Sequence, residues 1–180
     1  SEMVGIGAIK YFDLSHHPSS DIIFEWEKMF VLEGNSAPYL QYTFARTQSV
    51  LLKAKLKVSR IKYQELRINE EEMAVLRSLP KFSEVIEQAA QNYSPNLLCN
   101  YLFDLAQKYN NFYARHRILD TSVERTKSEA LSDNPHRILS DKRQGIDDKT
   151  SEFRIALTAG VGQILKNGLN LLGIQAPKRM

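Results

Sequence analysis

Aromatic and basic side chains at helical spacing form the part of this sequence best suited to bind a ligand. Two tyrosines come first and cations follow, at steps of three and four residues: Tyr39, Tyr42, Arg46, Ser49, Lys53, Lys57 and Arg60. Aromatic rings can stack on unpaired bases, and cations can neutralise phosphates. The spacing therefore predicts an RNA-binding face on one helix. The same pattern also suits core-rim tyrosines beside solvated lysines, and composition alone favours that second interpretation.

The charge of the chain is more informative in its distribution than in its total. The net charge is +3, which is too small to indicate a class of partner. Between Tyr39 and Arg67, however, there are seven Lys and Arg residues and one acidic residue, Glu65. A polyanionic partner is therefore favoured along this stretch rather than over the whole surface.

Other residue types that could do chemistry do not combine into a site. The four histidines have no i, i+4 pair and no carboxylate cluster to complete a metal-ligand set, so we predict neither a metal site nor a catalytic residue: His16, His17, His116 and His136. Cys99 is the only cysteine, which favours a small buried apolar side chain over a disulfide or a thiolate metal site. Gly5 and Gly7 only weakly match a phosphate loop, and helix packing is the favoured role.

Hydrophobic periodicity predicts that the elements carrying these residues are helices. Ser36 suits an N-cap and Pro38 a first turn, and they open a long helix whose core face is Leu40, Phe44, Thr47, Leu51, Ala54, Val58 and Ile61. Further helices are predicted at about residues 4–12, 70–79, 80–93, 95–116 and 151–172. Their predicted core faces include Leu98, Leu102, Leu105, Tyr109, Phe112, His116, Phe153, Leu157, Val161, Ile164, Leu165, Leu171 and Leu172. Gly173 suits a C-cap.

Two stretches depart from the helical pattern. Residues 22–24 are a short apolar strand candidate. Residues 120–152 contain only six aliphatic residues and no aromatic one, which favours a long polar connection with at most a short helix at about 122–131. Because the remaining connections are short, the sequence as a whole predicts an all-α, antiparallel helical bundle.

Four stretches together resemble one family. The segment Glu33-Gly34-Asn35-Ser36-Ala37-Pro38-Tyr39-Leu40-Gln41-Tyr42 resembles the EGxxxPYLQY segment of class I arginyl-tRNA synthetases. Gly5-Ile6-Gly7-Ala8-Ile9-Lys10-Tyr11 resembles a segment near the end of their catalytic part. Residues 101–106, with Phe112 and Tyr113, resemble a central helix of their anticodon-binding bundle, and residues 165–180 resemble their C-terminus.

The resemblance implies an architecture and a partner. Residues 1–37 would be a short remnant of an α/β catalytic domain, and residues 38–180 a DALR-type anticodon-binding bundle. The partner would be the tRNA for arginine. Positions matching Tyr39, Tyr42, Arg46, Tyr113 and Met180 lie at the anticodon-loop surface in this family, and Lys53 and Lys57 would add attraction to phosphates.

The resemblance also limits the chemistry expected of this chain. The family's HIGH and KMSKS signatures, which hold ATP, do not occur in the sequence. We therefore expect no cofactor in this chain and no amino-acid activation by it alone, while ATP with magnesium would serve the parent enzyme. We expect a cytoplasmic monomer that binds neither membrane nor DNA. The alternatives are an unrelated bundle that binds structured RNA and a protein-interaction module that uses residues 120–152.

Overall fold

The computed structural model describes residues 2–23, 29, 34–54, 66–119 and 148–180. Within these ranges every regular element is helical, which confirms the predicted all-α fold. The elements are α1 (Glu2–Ser15), α2 (Ala37–Ala54), α3 (Glu70–Ser78), a 3-10 turn (Leu79–Lys81), α4 (Phe82–Gln91), α5 (Pro95–Arg115) and α6 (Asp148–Leu171). Helix α5 contacts each of the other five helices, and α2 lies against α6. The described part therefore forms a bundle around α5.

Helix α2 begins as its sequence predicts. The Ser36 Oγ accepts a hydrogen bond from the backbone N–H of Tyr39 at 3.4 Å, and Pro38 occupies the first turn. Of the predicted core face, Leu40, Phe44 and Thr47 are buried, but Leu51 and Ala54 are only half-buried. The rest of the predicted helix, including Lys57, Val58, Arg60 and Ile61, lies outside the described residues.

Helices α5 and α6 supply most of the core. The predicted α5 face is confirmed, since its residues from Leu98 to Phe112 are at most 5% exposed: Leu98, Leu102, Leu105, Tyr109 and Phe112. On α6 the prediction failed in part. Leu171 is 59% exposed and Ile164 is half-buried, whereas Leu169 is fully buried. The buried face continues by steps of four and three from Leu165 through Leu169 to Leu172, so Leu171 faces away from the core.

The two ends of α6 are well defined. The helix begins at Asp148, three residues before its predicted start, and so includes the last part of the predicted polar connection. Residues 120–147, with the short helix predicted there, lie outside the described residues. At the other end Gly173 has a φ of +69°, and the Ile174 N–H reaches the Leu169 carbonyl at 2.8 Å. This left-handed cap confirms the predicted role of Gly173.

Helix α1 packs into the same core as the bundle. It runs further than the predicted 4–12, and its Tyr11 hydroxyl is 2.9 Å from the Cys99 carbonyl oxygen on α5. The strand prediction is wrong for Ile22 and Ile23, which are exposed and have no partner strand among the described residues; Phe24 lies outside them. The assignment of residues 1–37 to the end of a catalytic domain stays a prediction. No described helix is both long and apolar enough to cross a membrane.

Candidate nucleic-acid interface

A groove of about 710 Å³ opens where α2 meets the C-terminal end of α5. The residues after α5 and the tail after α6 complete its walls. The side chains that line it are Tyr42, Ala45, Arg46, Ser49, Val50, Lys53, Tyr113, His116, Arg117, Ile118, Leu119, Arg179 and Met180. They come from three separate stretches of the chain, so the groove exists only in the folded bundle.

The lining of the groove suits a polyanion that carries apolar rings. Among the described residues, the lining contains four cations, Arg46, Lys53, Arg117 and Arg179, and no Asp or Glu side chain. Buried Ala45, Val50 and Ile118 provide apolar surface, as does half-exposed Met180. A single-stranded nucleic acid presents phosphates and unstacked bases, which match these two kinds of surface.

Arg46 is held at the centre of the aromatic part of the groove. Its guanidinium carbon lies 4.7 Å from the Tyr42 ring centroid and 4.8 Å from the Tyr113 ring centroid. Its Nη2 also donates to the Tyr42 hydroxyl at 3.1 Å. The two tyrosines are 44% and 39% exposed, so each ring packs on the cation and still offers surface to a ligand.

Tyr39 lies beside the groove and does not line it. Its ring meets Phe103 edge-on, with 5.6 Å between centroids, and its hydroxyl accepts a hydrogen bond from Asn110 Nδ2 at 2.9 Å. The ring is half-buried. The structure therefore brings five predicted residues together, Tyr42, Arg46, Lys53, Tyr113 and Met180, and places Tyr39 behind them. Lys57 lies outside the described residues.

Sequence reasoning missed four polar or charged residues of this region: Asn110, His116, Arg117 and Arg179. Asn110, Tyr113 and Arg117 follow each other at steps of three and four, so helical spacing from Tyr113 could have indicated both neighbours. Arg179 precedes the predicted Met180 directly. Helical spacing predicts His116 on the core face of α5, and this prediction is wrong, because the side chain is partly exposed at the groove.

The tail that carries Arg179 and Met180 is anchored by two side chains. Gln41 is fully buried on α2, and its Nε2 donates to the Gln175 carbonyl at 2.8 Å. Lys10 on α1 donates from Nζ to the Gly173 carbonyl at 2.7 Å. A Cβ added at Gly7 would lie 2.9 Å from Gln41 Nε2, so this glycine lets α1 approach α2 closely. The favoured helix-packing role is therefore confirmed for Gly7 but not for Gly5, where an added Cβ would meet nothing within 4 Å.

The segment after α5 is also fixed by side chains from α3 and α6. Arg154 Nη1 donates to the Arg117 carbonyl at 2.7 Å, and Ser151 Oγ donates to the Ile118 carbonyl at 2.8 Å. Glu71 pairs with Arg115 and lies 3.2 Å from His116 Nε2. Hydrogen bonds from Arg115, from the backbone and from His116 lower the pKa of Glu71 to about 2. These bonds hold one wall of the groove in place.

The described residues show little other reactive chemistry. No group of three or more His, Cys, Asp or Glu among them could hold a metal ion. Burial raises the pKa of the Cys99 thiol to about 12, so this thiol is neutral at physiological pH and is no nucleophile there.

Comparison with known proteins decides the family. Residues 40–180 match the model of the DALR anticodon binding domain. The chain belongs to the DALR anticodon-binding domain family. The DALR chain is 37% identical over its whole length to an arginine–tRNA ligase of Rhodopirellula baltica, of which it covers 25%. It is also 37% identical to an arginine–tRNA ligase of Fusobacterium nucleatum, of which it covers 28%. It thus spans about a quarter of the length of these relatives.

A solved structure supports the same assignment. The DALR chain superposes on Thermus thermophilus arginyl-tRNA synthetase with a TM-score of 0.76 and 28% sequence identity. The superposition covers 99% of this chain and 27% of that chain. The predicted resemblance to arginyl-tRNA synthetases is therefore confirmed, and the alternative of an unrelated bundle is not supported.

Proposed function

We propose that this DALR chain binds the anticodon loop of the tRNA for arginine, as part of a protein that ligates arginine to that tRNA. The observation that carries the proposal is the groove between α2, α5 and the tail. It places one fixed guanidinium, two half-exposed tyrosines and three further cations around an apolar floor. Loop bases are unpaired and can enter such a groove, whereas bases in the deep major groove of an RNA helix cannot be reached.

Each part of the groove has a separate task in this proposal. Tyr42 and Tyr113 stack on loop bases, and Arg46 donates to a base edge or to a phosphate. Lys53, Arg117 and Arg179 attract the backbone in a salt-dependent way. Tyr39 supports Arg46 from behind through Asn110 and does not stack on a base itself.

The chemistry of ligation lies outside this chain in the proposal. ATP with magnesium would serve the whole protein, and we propose that the described residues of this chain form no nucleotide site. The HIGH and KMSKS signatures do not occur, and the Gly5–Gly7 stretch is a packed helix rather than a phosphate loop. We propose that the chain holds no cofactor, catalyses no arginine activation alone, is monomeric and is cytoplasmic.

An electrophoretic titration tests the proposal. Arginine tRNA and a non-cognate tRNA are titrated at two salt concentrations against the wild type, Arg46→Ala and the control Arg77→Ala. Arg77 is an exposed arginine on α3 that does not line the groove. We expect tighter binding of arginine tRNA, weaker binding at higher salt, and loss of the preference only in Arg46→Ala. Equal binding of both tRNAs by the wild type, or an unchanged preference in Arg46→Ala, would refute the proposal.

A further inference from the structure

We propose that Asn110 is a positioning residue for anticodon discrimination, because it fixes the direction in which Arg46 presents its free N–H groups. The inference rests on the proposed function, and it adds a residue that no sequence pattern singled out. Asn110 lies on α5, 64 residues from Arg46 and 71 from Tyr39, and it hydrogen-bonds to both.

The surroundings of Asn110 determine the orientation of its amide. Thr43 Oγ1 lies 2.9 Å from the Tyr39 carbonyl oxygen, which can only accept, so the Thr43 proton is used there. Thr43 Oγ1 must then accept from Asn110, whose Nδ2 is 2.9 Å away. The amide nitrogen therefore faces Thr43 and Tyr39, and Oδ1 faces Arg46. Because Thr43 is fully buried, water does not compete for this arrangement.

The fixed amide oxygen in turn sets the plane of the Arg46 guanidinium. Nη1 donates to Asn110 Oδ1 at 2.7 Å, and Nη2 donates to the Tyr42 hydroxyl at 3.1 Å. A planar guanidinium that is hydrogen-bonded at both terminal nitrogens has a fixed orientation. Three of the five N–H groups have no partner among the described residues, and their directions are now set. A ligand must match those directions to bind them.

Loss of Asn110 would free the direction of the Arg46 N–H groups without changing the charge of Arg46. In Asn110→Ala, Arg46 keeps its positive charge and its two tyrosine neighbours but loses the bond to Nη1. Its donors then sample several directions, and the preference between bases falls. A well-placed bidentate arginine contributes on the order of fivefold to a hundredfold in base discrimination. The dependence of affinity on salt stays the same, because no phosphate contact is removed.

The test is a double-mutant cycle on tRNA binding. Affinities are measured for arginine tRNA and for the same tRNA with one anticodon base changed. The variants are Asn110→Ala, Arg46→Ala and the double variant, with Asn111→Ala as control because Asn111 is the exposed neighbour of Asn110. We expect Asn110→Ala to lower the discrimination at least fivefold, the double variant to discriminate no worse than Arg46→Ala, and Asn111→Ala to match the wild type.

The outcomes separate this inference from the proposed function. If Arg46→Ala keeps full discrimination, the proposed function fails. If Arg46→Ala loses discrimination while Asn110→Ala keeps it, or if the two losses add, Asn110 does not act through Arg46 and the inference is overturned.

A second variant keeps the inference testable if Asn110→Ala folds poorly. Asn110→Asp retains the side-chain shape and the acceptor for Arg46, and it adds a negative charge beside the guanidinium. Both side-chain oxygens of the variant accept hydrogen bonds, so Arg46 Nη1 keeps its partner, and we expect Asn110→Asp to keep the discrimination that Asn110→Ala loses. A folded Asn110→Asp variant that discriminates as poorly as Asn110→Ala would overturn the inference, because the retained acceptor would then not set the direction of Arg46.

Discussion

Arg154 on α6 donates from Nε to the carboxylate of Glu72 on α3, with 2.6 Å between Nε and Oε1. The same carboxylate accepts from the Asn69 N–H at 3.0 Å, while Asn69 Oδ1 accepts from the Glu72 N–H at 2.8 Å. Glu72 therefore completes a capping box and joins two helices at once. Because Arg154 also bonds to the Arg117 carbonyl, this ion pair extends to the wall of the groove.

Loss of Arg154 should destabilise the folded bundle. Glu72 is only 1% exposed, so Arg154→Leu would leave a carboxylate buried without its cation. We expect a loss of about 3–5 kcal/mol in the free energy of unfolding, measured by urea denaturation. The control is Asp104→Asn, which breaks the exposed pair with Lys108 and should cost at most about 1 kcal/mol. Equal stabilities of Arg154→Leu and the wild type would show that the pair contributes nothing.

Glu71 should make the bundle sensitive to acid. Hydrogen bonds from Arg115, the backbone and His116 lower its pKa from 4.5 to about 2, so the folded state binds this proton less readily than the unfolded state. Its stabilising contribution is therefore complete above pH 4.5 and is lost as the pH falls to about 2. Thermal melts should show Glu71→Gln less stable than the wild type at pH 6, with the gap closing towards pH 2. A gap that widens in acid would contradict this assignment.

The sequence predicted elements better than it predicted partners. Periodicity located the buried face of α5 because all residues of that face point into the same core. A 3.6-residue repeat of apolar residues shows which side of a helix is buried. It misjudged Leu171 because Leu171 and Leu172 are adjacent, so the apolar pattern alone did not settle which of them continues the buried face from Leu165. Leu169 was missed altogether.

Helical periodicity could not predict which side chains on different helices contact each other. Arg46 and Asn110 are 64 residues apart, and Glu72 and Arg154 are 82 apart. Spacing shows which side of a helix a residue occupies but not what packs against that side. The resemblance named Tyr113 and Met180, and the structure shows that they share a groove with Arg46. It could not show that Tyr39 lies behind that groove.

Two glycines should respond oppositely to the same substitution. A Cβ added at Gly168 would lie 2.5 Å from Leu102 Cδ2, and Leu102 is fully buried, so Gly168→Ala should cost about 1–3 kcal/mol. Gly5 lies in helix α1, and a Cβ added there would meet nothing within 4 Å. Gly5→Ala should therefore raise the free energy of unfolding by about 0.4–1 kcal/mol. Denaturant unfolding of both variants checks this contrast. A stabilising Gly168→Ala would disprove the close approach of α5 and α6.

A groove cation that contacts only phosphate should affect all tRNAs alike. Lys53 is exposed and lines the groove, so Lys53→Ala should weaken cognate and non-cognate binding equally. It should also reduce the slope of log affinity against log salt by about one contact. The matched control is Lys81→Ala, since Lys81 is exposed but lies away from the groove. Loss of cognate binding alone would mean that Lys53 reads a base.

The most direct test of the groove as the tRNA-binding surface is an NMR titration of the chain with an RNA hairpin that carries the anticodon arm of arginine tRNA. We expect the largest chemical-shift changes at the backbone amides of Arg46, Tyr113 and Arg117, and no chemical-shift changes along α4. A hairpin of equal length with a scrambled loop should shift them less. Changes confined to α4, or identical changes with both hairpins, would contradict anticodon-loop binding in this groove.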